Sequence, residues 1–107
     1  MYELKLYDNE IWVLVKGIDI LLLENNEKFK ENTYGFYSKI ENWFKTYNYY
    51  NNIINKLENK NYKFTYGECH TLIEGLYKFI SNKYNQQDFR LCSKIINNID
   101  NSIGCYE

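Results

Sequence analysis

Proline and alanine are absent from this 107-residue chain, and arginine and histidine occur once each, as Arg90 and His70. A single arginine and a net charge of -1 argue against a dedicated nucleic-acid binder, which carries a basic stripe rich in Arg and Lys. The five glycines stand far apart and form no phosphate-cradling loop. No apolar run approaches the roughly 18 residues of a membrane span, and no basic-then-apolar leader opens the chain, so neither an anchor nor a signal peptide is expected. The three cysteines (Cys69, Cys92, Cys105) show no CxxC spacing and leave one unpaired in any disulfide scheme. Free thiols in a reducing cytoplasm account for them most simply.

What fills the chain instead is Asn, Lys, Ile and Tyr, the residues an AT-rich genome favours. With 45% hydrophobic and 25% charged residues the composition is that of a globular protein, and the length fits one domain, 1–107. The aromatic share of 19% stands out, twelve of those residues being tyrosines whose hydroxyls must reach water or a partner.

Residues 2–7 alternate apolar and polar, which reads as a half-buried strand. Asp8-Asn9-Glu10 is turn-prone, and Ile11 to Val15 is a run of β-formers apolar on both faces. The two segments are expected to form an antiparallel hairpin. Gly17 breaks the chain, and Ile18 to Leu23 is expected to add a third strand, a short helix being the alternative. The longest regular pattern follows: Phe36, Ile40, Trp43, Tyr47, Tyr50, Ile54 and Leu57 are spaced by fours and threes, predicting a long central helix over about 34–58. Its Asn- and Tyr-rich middle, Thr46 to Asn52, is the place where such a helix would break.

After a connector at Tyr62 to Phe64, Thr65-Tyr66-Gly67-Glu68 matches a capping box, with Phe64 and Cys69 placed as its hydrophobic staple. Leu72, Ile73, Leu76, Phe79 and Ile80 continue that helix to Ser81-Asn82. A last helix from Gln87 or Asp88 carries Leu91, Cys92, Ile95, Ile96, Ile99 and Ile103, with Gly104 as its stop. The expected fold is therefore α+β: a short antiparallel hairpin or three-stranded meander packed on two to three helices.

The chain offers little for chemistry. Cys69 and His70 are adjacent on a helix and point about 100° apart, whereas a Cys–His nucleophile pair must meet in space. The Cys and His positions lack zinc-ligand spacing. No cofactor, metal or catalytic residue is expected. Lys56, Lys60, Tyr62, Lys63 and Tyr66 interleave charge with aromatic rings and define the alternative of a nucleic-acid-binding module. A homo-oligomeric structural protein is the other alternative.

Two features favour a protein partner. Tyr34, Tyr37, Tyr47, Tyr49 and Tyr50 surround the long helix at angles one buried stripe cannot absorb, and Tyr is enriched at interfaces. Acids outnumber lysines over residues 1–31, where Asp8, Glu10, Asp19 and Glu24 would steer a basic partner. The expected role is a cytoplasmic, non-catalytic inhibitor that occludes a nucleic-acid-processing effector, as a toxin immunity protein or a phage counter-defence protein of the anti-CRISPR type does. The residues expected to bind the partner are Tyr34, Tyr37, Tyr49 and Asn52, with Asp8, Glu10, Asp19 and Glu24 as the charged surround.

Overall fold

The computed structural model describes residues 1–31, 36–82 and 86–104, with side chains at all of these except 28–31, 36–40, 82 and 86–87. The described residues are mostly helical, in four helices with a single two-stranded sheet, which overturns the expected α+β meander. In order, the elements are β1 (Tyr2–Glu3), α1 (Asp8–Glu31), α2 (Phe36–Glu58), β2 (Lys63–Phe64), α3 (Tyr66–Asn82) and α4 (Gln86–Gly104).

The reversal lies in α1. Glu10, Val13, Leu14, Gly17, Ile18 and Leu21 are buried, a run of threes and ones that is one face of a helix. Half-buried Ile11, Val15 and Ile20 and exposed Trp12 fill the gaps between these positions, so the stripe looks like two continuous apolar runs, and β-branched residues there suggest strands. Propensity is a weak term beside burial of a coherent face. Asp8 to Glu10 is the helix's first turn, not a loop. The Glu10 carboxylate accepts the Tyr7 backbone N–H at 2.9 Å, satisfying one of the donors that a helix start leaves open.

The first strand does exist, shortened and with another partner. Tyr2 stands opposite Phe64 and Glu3 opposite Lys63 in a two-stranded antiparallel pair, and the Leu4 N–H donates to the Tyr62 carbonyl at 3.0 Å. The alternation of residues 2–7 survives in the burial pattern: Leu4 is buried and Tyr2 and Leu6 half-buried, while Glu3, Lys5 and Tyr7 face out.

The organising element is α1, not α2. α1 packs most extensively on α3, then on α2, and also touches α4. At the α1–α3 crossing Gly17 meets Gly75 backbone to backbone: a Cβ on Gly17 would lie 2.6 Å from the Gly75 carbonyl carbon. Gly17 is therefore a contact point inside a helix and not a chain break. α2 runs unbroken through Thr46 to Asn52. Among its described side chains Ile53 and Leu57 are fully buried, whereas Trp43 and Tyr47 are half-buried and Phe44 is exposed. One apolar cluster joins Ile53 and Leu57 to Leu14 and Ile18 of α1, Leu72 and Leu76 of α3, and Ile95 and Ile99 of α4.

α2 ends in a hydrogen-bonded reversal that matters for the site. The Asn61 N–H donates to the Lys56 carbonyl at 2.9 Å and the Lys60 N–H to that of Leu57 at 3.4 Å, the Schellman pattern. Lys60 holds the left-handed position of that motif with φ 58°, where a side chain costs about 1 kcal/mol and glycine does not. Lys60→Gly is expected to stabilise the fold by about 0.5–1 kcal/mol, read as a raised urea midpoint. An unchanged or lowered midpoint would count against this reading of the turn.

Candidate functional site

The C-terminal half of α2, the Schellman turn and the first turn of α3 enclose an open groove of about 530 Å³. α2 supplies Tyr49, Asn52, Asn55 and Lys56, the turn supplies Asn59 and Asn61, and the α3 cap supplies Thr65 and Glu68. The two sides are locked together at the floor. Lys56 Nζ donates to Glu68 Oε1 at 2.8 Å and to the Lys63 carbonyl at 3.1 Å, and it lies 5.5 Å from the Phe64 ring centre. Glu68 Oε1 also accepts the Thr65 N–H at 2.9 Å, while the Glu68 N–H donates to Thr65 Oγ1 at 3.1 Å. This is the capping box foreseen in the sequence, and its flanking Phe64 and Cys69 are both fully buried. Burial pushes the Glu68 carboxyl up, but Lys56 and the Thr65 N–H together outweigh it and hold the group below its ordinary 4.5.

Tyr49 forms the groove's far end. Thr71 gives its hydroxyl proton to the Gly67 carbonyl at 3.0 Å, so in the 3.1 Å contact between Tyr49 Oη and Thr71 Oγ1 the tyrosine must be the donor. The ring is thereby fixed while remaining 37% exposed.

Two of the expected partner-binding residues, Tyr49 and Asn52, thus share one site. Tyr34 lies outside the described residues, as does the side chain of Tyr37. The acids do not assemble around the groove. Asp8 is exposed in the first turn of α1, and Asp19 is half-buried further along. Glu24 forms an ion pair with Lys78 at 3.4 Å. Glu10 is 2% exposed and committed to the Tyr7 N–H; it is a cap, not a surface charge. From Asp8 to Glu24 the helix rises about 24 Å, so these acids make a spaced row and no single patch.

The remaining aromatics lie elsewhere. Trp43 stacks on Tyr47 with ring centres 5.2 Å apart, and its indole N–H donates to Asn26 Oδ1 of α1 at 2.7 Å. With about 100° per residue, Trp43 and Tyr47 fall on the α1 flank of α2, and Tyr49, Asn52 and Lys56 on the other. Tyr50 is half-buried between them, its phenol pushed up by burial first and then by Glu74, Tyr49 and Glu24.

The basic-aromatic segment reads differently once folded. Lys56 is turned into the Glu68 pair, Phe64 is fully buried, and Tyr66 meets His70 edge-on at 4.4 Å. His70 is exposed. Cys69 and Cys92 are buried, and burial first, then a nearby carboxylate (Glu68 and Asp88 respectively), pushes each thiol up to about 11. Neither is a thiolate at neutral pH. Among the described residues no three His, Cys, Asp or Glu gather into a metal-holding group, and no described helix is long and apolar enough to cross a membrane.

Asn55, Asn59 and Asn61, missed as site residues, had a readable signal: with Asn52 and Lys56 they follow the three- and four-residue spacing of one helix face, continued by a turn. Comparison with family models, curated proteins and solved structures finds no match for this chain.

Proposed function

We propose that this protein is a non-catalytic binder that covers part of another protein, its target being a nucleic-acid-processing effector with a basic surface. Such a role is that of a toxin immunity protein or of a phage counter-defence protein of the anti-CRISPR type. The observation that carries the reading is Tyr49: a large ring, partly exposed, held in place by Thr71 and lining an open polar groove. An aromatic that is already immobilised loses little entropy on binding and makes an efficient anchor. Asp8 and Asp19 supply the steering charge, since Glu10 is buried and Glu24 is partly neutralised by Lys78.

The test is a pull-down from the source lysate followed by a cleavage assay, in which the nuclease it captures is titrated with the purified protein. Cleavage is expected to stop near one equivalent, and Tyr49→Ala to raise the half-inhibiting concentration by roughly 10- to 100-fold. Raised salt should slow the association. Full cleavage in large excess, with no complex seen by light scattering, would refute the proposal. A low-salt gel shift with nucleic acid alone would favour the basic segment's role instead.

A further inference from the structure

We infer that the α2–α3 groove takes an extended, uncharged stretch of polypeptide, held through its backbone amides. This inference rests on the proposed binding role and names what the partner presents to the Tyr49–Asn52 flank.

The first ground is the lining. Four of its eight residues are asparagines, whereas the chain as a whole has sixteen in 107, about one in seven. All four carboxamides are exposed, and none hydrogen-bonds another described residue through its side chain. A carboxamide carries both a C=O acceptor and an NH₂ donor, the same pair that a peptide unit offers in reverse. Few other side chains satisfy both halves of a peptide unit at once.

Charge is the second ground. Lys56 and Glu68 are the ionised groups in the lining, and they are bonded to each other at 2.8 Å. The floor is neutral, so it selects neither a phosphate nor a carboxylate nor an amine. Amides and hydroxyls remain, which suit an uncharged hydrogen-bonding ligand.

Geometry supplies the third. Asn52 and Asn55 project from one side of α2, away from the buried Ile53 and Leu57, and Asn59 continues their row just past its end, its N–H bonded to the Asn55 carbonyl at 3.0 Å. Asn52 and Asn59 are about 10.5 Å apart along the helix axis. An extended chain rises about 3.3 Å per residue, so the ladder spans three residues of a strand laid along it. Asn61 and Thr65 face that strand from the opposite bank, and the Tyr49 ring meets the side chain at its end.

The experiment is an NMR titration of the isotopically labelled full chain with acetyl-trialanine N-methylamide, an uncharged peptide, and separately with maltotriose, an uncharged sugar. The peptide should shift the side-chain NH₂ signals of Asn52, Asn55 and Asn59 saturably, in the millimolar range, while maltotriose leaves them unmoved. The double variant Asn52→Ala/Asn59→Ala changes two exposed residues; with its circular dichroism and melting midpoint preserved, it should lose the shift at the remaining Asn55. No saturable shift with peptide, or an equal one with maltotriose, overturns the inference. In the effector assay the same variant should inhibit at least roughly tenfold less well, as loss of two hydrogen bonds implies. Undiminished inhibition would overturn this inference and leave the inhibitor role standing. Peptide binding by a protein that inhibits no effector would do the reverse.

Discussion

Gly17→Ala should destabilise the protein by about 3 kcal/mol or more, a large share of the roughly 5–15 kcal/mol that holds a domain folded. Alanine is the better helix former by about 1 kcal/mol, so propensity alone predicts the opposite sign. The crossing decides. The new methyl would sit 2.6 Å from the Gly75 carbonyl carbon, 2.7 Å from its oxygen and 3.1 Å from its Cα. All three are backbone atoms, and no rotamer change can move them. α1 and α3 would have to separate by about an ångström, loosening Leu14, Ile18, Leu72 and Leu76 in the densely packed cluster around them. Gly75→Ala should follow with a smaller loss, its nearest contact being the Gly17 carbonyl carbon at 2.9 Å. Gly67→Ala is the control: its methyl meets only Tyr49 Oη at 3.5 Å, an ordinary contact, and its urea midpoint should stay within about 0.5 kcal/mol of the parent. If Gly17→Ala unfolds at the parent's urea midpoint or above it, the close crossing is wrong.

The same crossing shows why the N-terminal third was misread. Nothing local tells a glycine that ends an element from one that lets two helices touch; the difference is Gly75, fifty-eight positions away. Without that partner, Ile11 to Val15 and Ile18 to Leu23 look like β-rich runs on either side of a break. The signals that did carry through were closed within a few residues. Thr65 and Glu68 satisfy each other across three positions, and α3 and α4 present their core at unbroken helical spacing. The α2 stripe gave the helix correctly but not its burial. Two of its seven positions, Trp43 and Tyr47, are only half-buried.

The site was legible in the same uneven way. Tyr49 and Asn52 were visible as residues a single buried stripe could not absorb. The pairing of Lys56 with Glu68 was not, because it joins two helices twelve residues apart through a turn whose path depends on Lys60 adopting a positive φ. Glu10 shows the limit from the other side. A charge that composition assigns to the surface is taken inward by a backbone N–H three residues before it.

Replacing Glu68 tests whether this floor holds α2 to α3, and it should do so with a pH signature. Glu68→Ala removes the acceptor for the Thr65 N–H and the counter-ion of Lys56 together. Loss of the cap costs about 1 kcal/mol. An abandoned partner in a sealed pair costs roughly 3–5 kcal/mol, but Lys56 retains 21% side-chain exposure and can turn its ammonium to water. The expected total is therefore about 2–3 kcal/mol at neutral pH. Glu68→Gln keeps an acceptor and loses only the charge, so about 1 kcal/mol is expected. The sign of the pH dependence follows from the folded carboxyl lying below its ordinary 4.5 despite burial, because Lys56 and Thr65 favour the charged form more strongly. As pH falls, the unfolded chain takes up this proton first, so the stabilisation is complete above about 4.5 and disappears as pH drops through the folded value. The gap in urea midpoint between the parent and Glu68→Gln should accordingly be constant from pH 7 to 5 and close towards pH 3. A gap that persists unchanged in acid would mean that the charge of Glu68 contributes nothing to the floor, and that the groove is held by the cap alone.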